Sequence, residues 1–214
     1  MTNGKTNSLI DDKLIQSGKN NIDHSMPNVS DFFVAKESQL ADNAINKLFE
    51  EYKDETSEDA ILSEGIERLC QDLNYYPDEF PILVLAFCLE ATQMCRFTKQ
   101  EFIHGLKKLN ATTIQELRLR LVQTVEKLDT DVDLFKQLYR FTFNFGLDDG
   151  SRILSLDMAM SLWKLVFTVH NPADNLLERW LNFLSNENIR GIQKDTWTMF
   201  MNFAECFDID SYDS

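Results

Sequence analysis

Apolar residues recur every three or four positions through most of the chain, beginning near residue 42. Ala44, Leu48 and Tyr52, for example, would share one face of a helix. The same spacing predicts further helices over 77–93, 113–128, 134–146 and 175–186. Only 4 Pro and 7 Gly occur, which favours a helical fold over a turn-rich β-sandwich or barrel.

The first 42 residues follow a different pattern. They are rich in Asn, Ser, Asp and Lys and have few regularly spaced apolar positions. Such a segment cannot bury enough apolar surface to offset the entropy lost on ordering, so residues 1–42 are predicted to be disordered. Within them, the apolar island DFFVAKES (31–38) is either a loose docking contact or a fragment of helix. The folded domain is predicted to span 43–214.

Four segments repeat one pattern: a short extended step, a capping residue and an amphipathic helix. They are AILSEGIERLCQDL (60–73), RFTKQEFIHGLKKL (96–109), RILSLDMAMSLWKL (152–165) and GIQKDTWTMFMNF (191–203). Thr98 and Glu101 form a T-x-x-E capping box, and Ser63 and Ser155 are plausible N-caps. Helix, loop, short strand and capped helix is the layout of an EF-hand. The predicted fold class is therefore all-α, with two EF-hand-like helical units.

The loops of these units do not have the ligands for calcium. An EF-hand loop needs oxygen ligands at positions 1, 3 and 5, Gly at position 6 and a bidentate Glu at position 12. Asp129, Asp131 and Asp133 fit the first three positions, but Leu134 then stands at position 6 and Arg140 at position 12. Neither residue can do what its position requires, so we predict no calcium ligands and no metal.

The chain is strongly acidic, with 35 Asp and Glu against 21 Lys and Arg and a formal net charge of −14. This balance argues against a nucleic-acid-binding protein and against binding to anionic membranes. A basic protein partner would be complementary to such a charge. The charge could equally serve solubility alone.

The cysteines Cys70, Cys88, Cys95 and Cys206 stand in apolar helical contexts without CxxC spacing. They are predicted to be buried thiols of a reducing compartment. The sequence has no apolar run long enough for a membrane span, no signal-peptide core and no Gly at position 2 for myristoylation. We therefore expect an intracellular protein of the cytoplasm and nucleus.

Signals for an enzyme are weak. The three histidines are His24, in the polar N-terminal segment, His104, and His170 at a predicted helix end, where it could interact with the helix dipole. The phosphate-binding, dinucleotide-binding and HExxH motifs are absent from the sequence. The interpretation that follows is a binding protein with no catalytic residues and no cofactor.

Three stretches together carry a family resemblance. They are EFPILVLAFCLEATQMCRFTKQEF (79–102), FKQLYRFTFNFGLDDGSRILSLDMAMSLWKLVFT (135–168) and WLNFLSNENIRGIQKDTWTMFMNF (180–203). They resemble the defective-in-cullin-neddylation family, whose shared domain is the potentiating-neddylation domain. The last two are most similar to the type-three members of animals. The resemblance covers roughly residues 45 to 213.

The resemblance implies an all-helical fold with two EF-hand-like units that do not bind calcium. It also implies a scaffold-type co-ligase with no nucleophile of its own. Such proteins hold a cullin together with the thioester-charged neddylation conjugating enzyme, while a RING protein works alongside. The ubiquitin-like modifier then passes to a cullin lysine. The physical gain is orientation of two tethered reactants.

One surface implied by the resemblance is an apolar pocket for the N-acetylated first Met of the conjugating enzyme. The corresponding positions are Ile66, Cys70, Pro77, Ile82, Leu85, Ala86, Leu89, Met94, Cys95, Phe97, Phe145 and Leu165. Acetylation would matter because a charged amino terminus loses its hydration in an apolar pocket. The alternative is plain core, since Ile66 with Cys70 and Leu85 with Leu89 are the i, i+4 pairs of any buried helix.

The second implied surface is acidic and meets the basic winged-helix subdomain of the cullin. In the family it consists of an Asp–Ala–Asp trio, whose first member corresponds to Asp195 in the stretch KDTW. Because the chain ends at DIDSYDS (208–214), we expect the other two members to be missing and the cullin-facing surface to be partial. Read locally, Asp195 could also be a simple helix cap.

Two other functions remain open at this point. The chain could be a degenerate EF-hand regulator that binds an amphipathic helix of a target protein. It could also bind the conjugating enzyme without binding cullin, and so compete with its relatives.

Overall fold

The computed structural model describes residues 29–170, 172, 175–187 and 189–210, without the side chains of residues 29–32, 35 and 206–210. Contacts divide the chain into a unit of residues 1–36 and a unit of residues 37–214. Only the start of the first helix is described in the first unit. The architecture below is that of the second.

Helices separated by four very short strands make up the described chain. In order they are α1 (Val29–Tyr52), β1 (Ala60–Ile61), α2 (Ser63–Leu73), α3 (Phe80–Cys88), β2 (Phe97–Thr98), α4 (Lys99–Leu109), α5 (Ile114–Thr130), α6 (Val132–Phe145), β3 (Ile153–Ser155), α7 (Leu156–Val166), α8 (Leu176–Asn186), β4 (Gly191–Gln193) and α9 (Lys194–Asp210). The predicted all-α class is confirmed.

The strands join the helices into the two EF-hand-like units that the repeats predict. Strand β1 pairs antiparallel with β2, with Ile61 opposite Phe97. Strand β3 pairs antiparallel with β4, with Leu154 opposite Ile192. Each pair links two helix–strand–helix segments. We call α1 to α4 the first lobe and α6 to α9 the second lobe; α5 connects them.

The local signals for helix starts are confirmed at two of three predicted positions. The amide of Glu101 donates to Thr98 Oγ1 at 3.2 Å, and Glu101 Oε2 accepts from the Thr98 amide at 2.7 Å, which completes the capping box. Ser155 caps α7. The prediction for Ser63 was wrong: it is the first residue of α2, and Leu62 holds the cap position without a side-chain hydrogen bond. The prediction for Ser63 missed the cap position by one residue, because α2 begins one residue earlier than predicted.

The predicted disordered segment differs from the structure at its end. Helix α1 begins at Val29, so residues 29–42 are helical and the helix alternative for 31–38 is correct. Burial of Ile45 and Phe49 fixes the later turns of α1. Extending an existing helix towards its N-terminus by polar residues then costs little free energy, because helix propagation is easier than nucleation. Residues 1–28 lie outside the described residues, and their predicted disorder stays a prediction.

Gly65 marks a very close backbone approach in the first lobe. A Cβ added to Gly65, at the start of α2, would overlap the carbonyl oxygen of Tyr52 and lie 2.8 Å from Cγ2 of Ile61. In the loop DETSEDAILSEG (54–65), Gly65 stands at position 12, where a calcium loop requires Glu. The close packing of α2 against the end of α1 requires Gly at this position.

Candidate functional site

The positions implied for the acetyl-methionine pocket are drawn from both lobes. We call these twelve positions the apolar cluster. Eight of them are buried, none more than 8% exposed: Ile66, Cys70, Ile82, Leu85, Ala86, Leu89, Phe97 and Phe145. All eight belong to the hydrophobic core, which runs through both lobes.

The other four positions lie nearer the surface. Met94 and Leu165 are half-buried and pack against the core. Pro77 and Cys95 are exposed, and Cys95 adopts a left-handed backbone with φ of 57°. The arrangement is a closed core with a more exposed edge, and it fits the plain-core alternative as well as a pocket wall. The pocket assignment therefore stays a prediction.

Helix α3 supplies much of the cluster because its sequence, FPILVLAFC, is apolar on every side. Such a helix is buried all round, and α3 lies against helices of both lobes. The ring of Phe87 meets Phe141 of α6 edge-on, with centroids 5.5 Å apart. Just beyond α3, Gln93 Nε2 donates to Asp149 Oδ2 at 3.2 Å. Contacts on and just beyond α3 thus join the first and second lobes.

Beside Pro77, a groove of about 520 Å³ opens along the end of α2. It is lined by Glu67, Gln71, Asn74, Tyr75, Tyr76 and Pro77. Of these, only Pro77 was found by sequence reasoning. The stretch NYYP carries exposed aromatic and polar residues just after a helix end, but nothing in its spacing distinguishes a groove from an ordinary loop.

Cys70 lies in the apolar cluster near this groove. Burial, with smaller effects from the carboxylates of Glu67 and Glu79, raises the pKa of its thiol to about 11. Burial likewise raises the pKa of Cys88 to about 11. Both thiols are neutral near pH 7 and behave as small apolar side chains, not as nucleophiles.

In the second lobe, Asp195 is not the cap of α9. The helix begins at Lys194, so Asp195 stands in the first turn with its side chain exposed. An acid there interacts favourably with the positive end of the helix dipole. Its carboxylate also remains accessible to a partner.

A buried network of Tyr139, Trp163 and Trp197, the aromatic network, fixes the helix that carries Asp195. The Tyr139 hydroxyl accepts from Trp163 Nε1 at 2.8 Å and donates to the Trp197 carbonyl at 2.7 Å. In return, Trp197 Nε1 donates to the Tyr139 carbonyl at 2.9 Å. The Trp163 and Trp197 rings stack with centroids 4.7 Å apart. Helices α6, α7 and α9 are therefore tied together two residues from Asp195.

His170 also makes a structural contact. Its Nε2 lies 2.8 Å from the Leu128 carbonyl oxygen in the last turn of α5, and its ring packs 4.5 Å from that of Phe135. Within the described chain, no group of three or more His, Cys, Asp or Glu residues is placed to hold a metal ion. In the same part of the chain, no helix combines the length and apolar character needed to cross a membrane.

The comparisons with known proteins agree on one family. Residues 116–214 match the family model described as cullin binding. The chain is 55% identical over 193 residues to DCN1-like protein 3 of Drosophila melanogaster, an alignment that covers 88% of this chain and 57% of that protein. It is 47% identical over 175 residues to DCN1-like protein 3 of Homo sapiens, covering 80% of this chain and 56% of that protein.

The chain spans about half the length of these curated relatives. The matched region includes all of α6 to α9, and with it the aromatic network and Asp195. The resemblance seen in the sequence and the matches to known proteins are consistent, and the chain belongs to the DCN1-like family.

Proposed function

We propose that this protein promotes cullin neddylation as a scaffold-type co-ligase, working with a RING protein in the cytoplasm and nucleus. The observation that carries the proposal is the match of residues 116–214 to the cullin-binding family, over a region whose first exposed acid on α9 is Asp195. In this role the protein binds two partners and contributes no covalent step.

The first partner is the N-acetylated neddylation conjugating enzyme, bound at the apolar cluster. Met94 and Leu165 are half-buried and Pro77 and Cys95 are exposed, so these four positions are the accessible edge of an otherwise closed core. An acetylated Met adds an apolar side chain and an uncharged amide to this edge. A free amino terminus would lose its hydration in this apolar surface, at a cost of several kcal/mol.

The groove beside Pro77 suits the residues that follow the acetylated Met. It begins next to the cluster, and Glu67 gives it an acidic wall. Tyr75 and Tyr76 supply flat apolar surface. A peptide with basic and apolar residues after its first Met would be complementary to this groove.

The second partner is the basic winged-helix subdomain of a cullin, bound at Asp195. This carboxylate is exposed, while the helix beneath it is fixed by the Tyr139–Trp197 hydrogen bonds. Because the helix that carries this carboxylate is already ordered, little entropy is lost when Asp195 pairs with a basic residue of the partner. Rate enhancement then comes from holding both partners in one orientation.

Cullin neddylation with purified components, with and without this protein, tests the proposal. We expect faster transfer to cullin when it is present. Calorimetry should show tight binding of the N-acetylated amino-terminal peptide of the conjugating enzyme and far weaker binding of the same peptide unacetylated. Equal affinity for both peptides would refute the pocket. A protein that binds the peptide but not cullin would be a competitor, and one that binds neither would favour the EF-hand regulator.

The cullin contact has a matched control. Asp195→Arg should weaken binding to the cullin C-terminal domain and leave peptide binding unchanged. Asp157 is also an exposed acid in the first turn of a helix, α7, so Asp157→Arg makes the same charge change elsewhere in the second lobe. If both variants weaken cullin binding equally, net charge and not Asp195 is responsible.

A further inference from the structure

A second, apolar surface lies beside Asp195, between α8 and α9. It is a groove of about 300 Å³ lined by Trp180, Thr196, Met199, Phe200 and Phe203. Met199 is 68% exposed and Phe203 50% exposed, and Phe183 next to them is also 50% exposed. Large apolar side chains grouped on a surface in this way are typical of an interaction site.

The floor of the groove is rigid. The Trp180 ring stacks on Phe200 with centroids 5.2 Å apart and on Phe183 at 5.8 Å. Trp163, part of the aromatic network above, meets the Trp180 ring edge-on at 5.8 Å. A partner side chain would therefore enter a surface that is already ordered, which lowers the entropy cost of binding.

The Trp180 ring, which lines the groove, carries a buried hydrogen-bond donor. The indole Nε1 of Trp180 is buried, and within the part of the chain that the structure describes it has no hydrogen-bond partner. Buried polar groups are almost always paired, because leaving one unpaired costs free energy. The N–H is enclosed by the protein, so a partner in the groove would contact the Trp180 ring and not this N–H.

The groove is continuous with the proposed cullin contact. Asp195 and Met199 are four residues apart on α9, so they are neighbours on one face of the helix, and both are exposed. Thr196 lines the groove from the same turn as Asp195. A basic residue paired with Asp195 would thus lie about one helical turn, roughly 5 Å, from the groove.

We propose that the groove binds an apolar side chain of the cullin's basic subdomain, next to the Lys or Arg that pairs with Asp195. This inference rests on the proposed function. The occupant is a basic surface that carries an apolar residue about one turn from its charge. A second copy of this chain is a poorer fit, since its net charge of −14 would bring like charges together at Asp195.

The test uses a substitution that keeps length and charge. Met199→Gln makes the groove polar at an exposed position, and Leu119→Gln on α5, where Leu119 is 54% exposed, is the matched control. We expect Met199→Gln to weaken binding to the cullin C-terminal domain about tenfold. Leu119→Gln should leave it unchanged, and neither should affect the acetylated peptide.

A spectroscopic measurement tests the same contact without relying on affinity. The chain has 3 tryptophans, so the Trp180 indole N–H resonance can be assigned with a Trp180→Phe variant. It should shift when cullin is added to the ¹⁵N-labelled protein. An unmoved resonance at saturating cullin would overturn the proposal.

The outcomes separate the groove from the proposed function. If Asp195→Arg weakens cullin binding and Met199→Gln does not, the groove proposal fails and the co-ligase stands. If the unaltered protein does not bind cullin, the co-ligase itself fails. If Met199→Gln changes only self-association in sedimentation, a second copy of the chain fills the groove and the proposal is overturned.

Discussion

The Tyr139 hydroxyl of α6 is hydrogen-bonded to residues of α7 and α9, and the effect of removing it on stability can be predicted. In Tyr139→Phe the ring and its stacking on Trp197, with centroids 4.8 Å apart, are kept. The hydrogen bonds to Trp163 Nε1 and to the Trp197 carbonyl are lost. Burial also raises the pKa of Tyr139, so the group removed is a neutral hydroxyl at any working pH.

The size of the effect follows from what is left unpaired. The Trp197 carbonyl lies within α9, where the helix can still supply a backbone donor. Trp163 is completely buried and its indole N–H has no such substitute. One orphaned buried donor costs about 1–3 kcal/mol, so we expect the free energy of unfolding to fall by about 2 kcal/mol.

Urea unfolding followed by tryptophan fluorescence measures this loss. All three tryptophans, Trp163, Trp180 and Trp197, lie in the second lobe and report on it directly. With a slope of about 2 kcal/mol per M, the midpoint should fall by about 1 M. The control is Tyr52→Phe, which removes a 2.6 Å hydrogen bond to the exposed, hydratable Asp72. A loss below about 0.5 kcal/mol in Tyr139→Phe, or an equal loss in both variants by circular dichroism, would refute the reasoning.

Three further predictions concern the first lobe. Gly65→Ala should destabilise the protein by more than about 2 kcal/mol in urea unfolding, since its Cβ would overlap the Tyr52 carbonyl; a neutral result would contradict this close approach. Leu89→Ala should lower the free energy of unfolding by about 2–5 kcal/mol, because Leu89 is completely buried. Pro77→Ala should lower it by less than about 0.5 kcal/mol, because Pro77 is exposed. Equal thermal midpoints for the two variants would contradict the division of the apolar cluster into a buried part and an exposed edge. Burial opposes ionisation of Glu101, but hydrogen bonds from two threonines outweigh it and lower its pKa below 4.5. The ionised Glu101 therefore stabilises the fold above pH 4.5, and this stabilisation is lost as the pH falls through the folded-state pKa. The free energies of unfolding of Glu101→Gln and of the unaltered protein should differ most near neutral pH and become equal in acid.

The helical repeats could be predicted from the sequence because their signals are local. An apolar period of three to four, a β-like step and a capping residue act within about ten residues, and all four predicted segments became a strand and a helix. The failures were also local. Ser63 shows that one residue decides whether a side chain caps a helix or begins it. The second capping box, Thr113 with Glu116, follows the same T-x-x-E rule and was overlooked.

The candidate site could be predicted only in part, because burial does not distinguish a pocket wall from a core. The eight buried positions of the apolar cluster look the same in either case, and the family resemblance alone singled them out. The groove between α8 and α9 was missed for a different reason. Met199 and Phe203 fit the apolar spacing of an amphipathic helix, and spacing alone does not show which apolar residues stay exposed. Only the packing of α9 on α8 shows that the apolar residues of α9 cover a wider part of the helix surface than the part that is buried.

Helix α6 connects the two proposed contacts. Phe145, at its end, belongs to the apolar cluster, and Tyr139, six residues earlier, holds the start of α9. Six residues of helix span about 9 Å along a rigid element. Under the proposed function, both partners are therefore positioned by the same helix, and a change in its tilt would alter their relative orientation. Since orientation is all that such a scaffold contributes, the aromatic network around Tyr139 should matter for neddylation even though it touches neither partner.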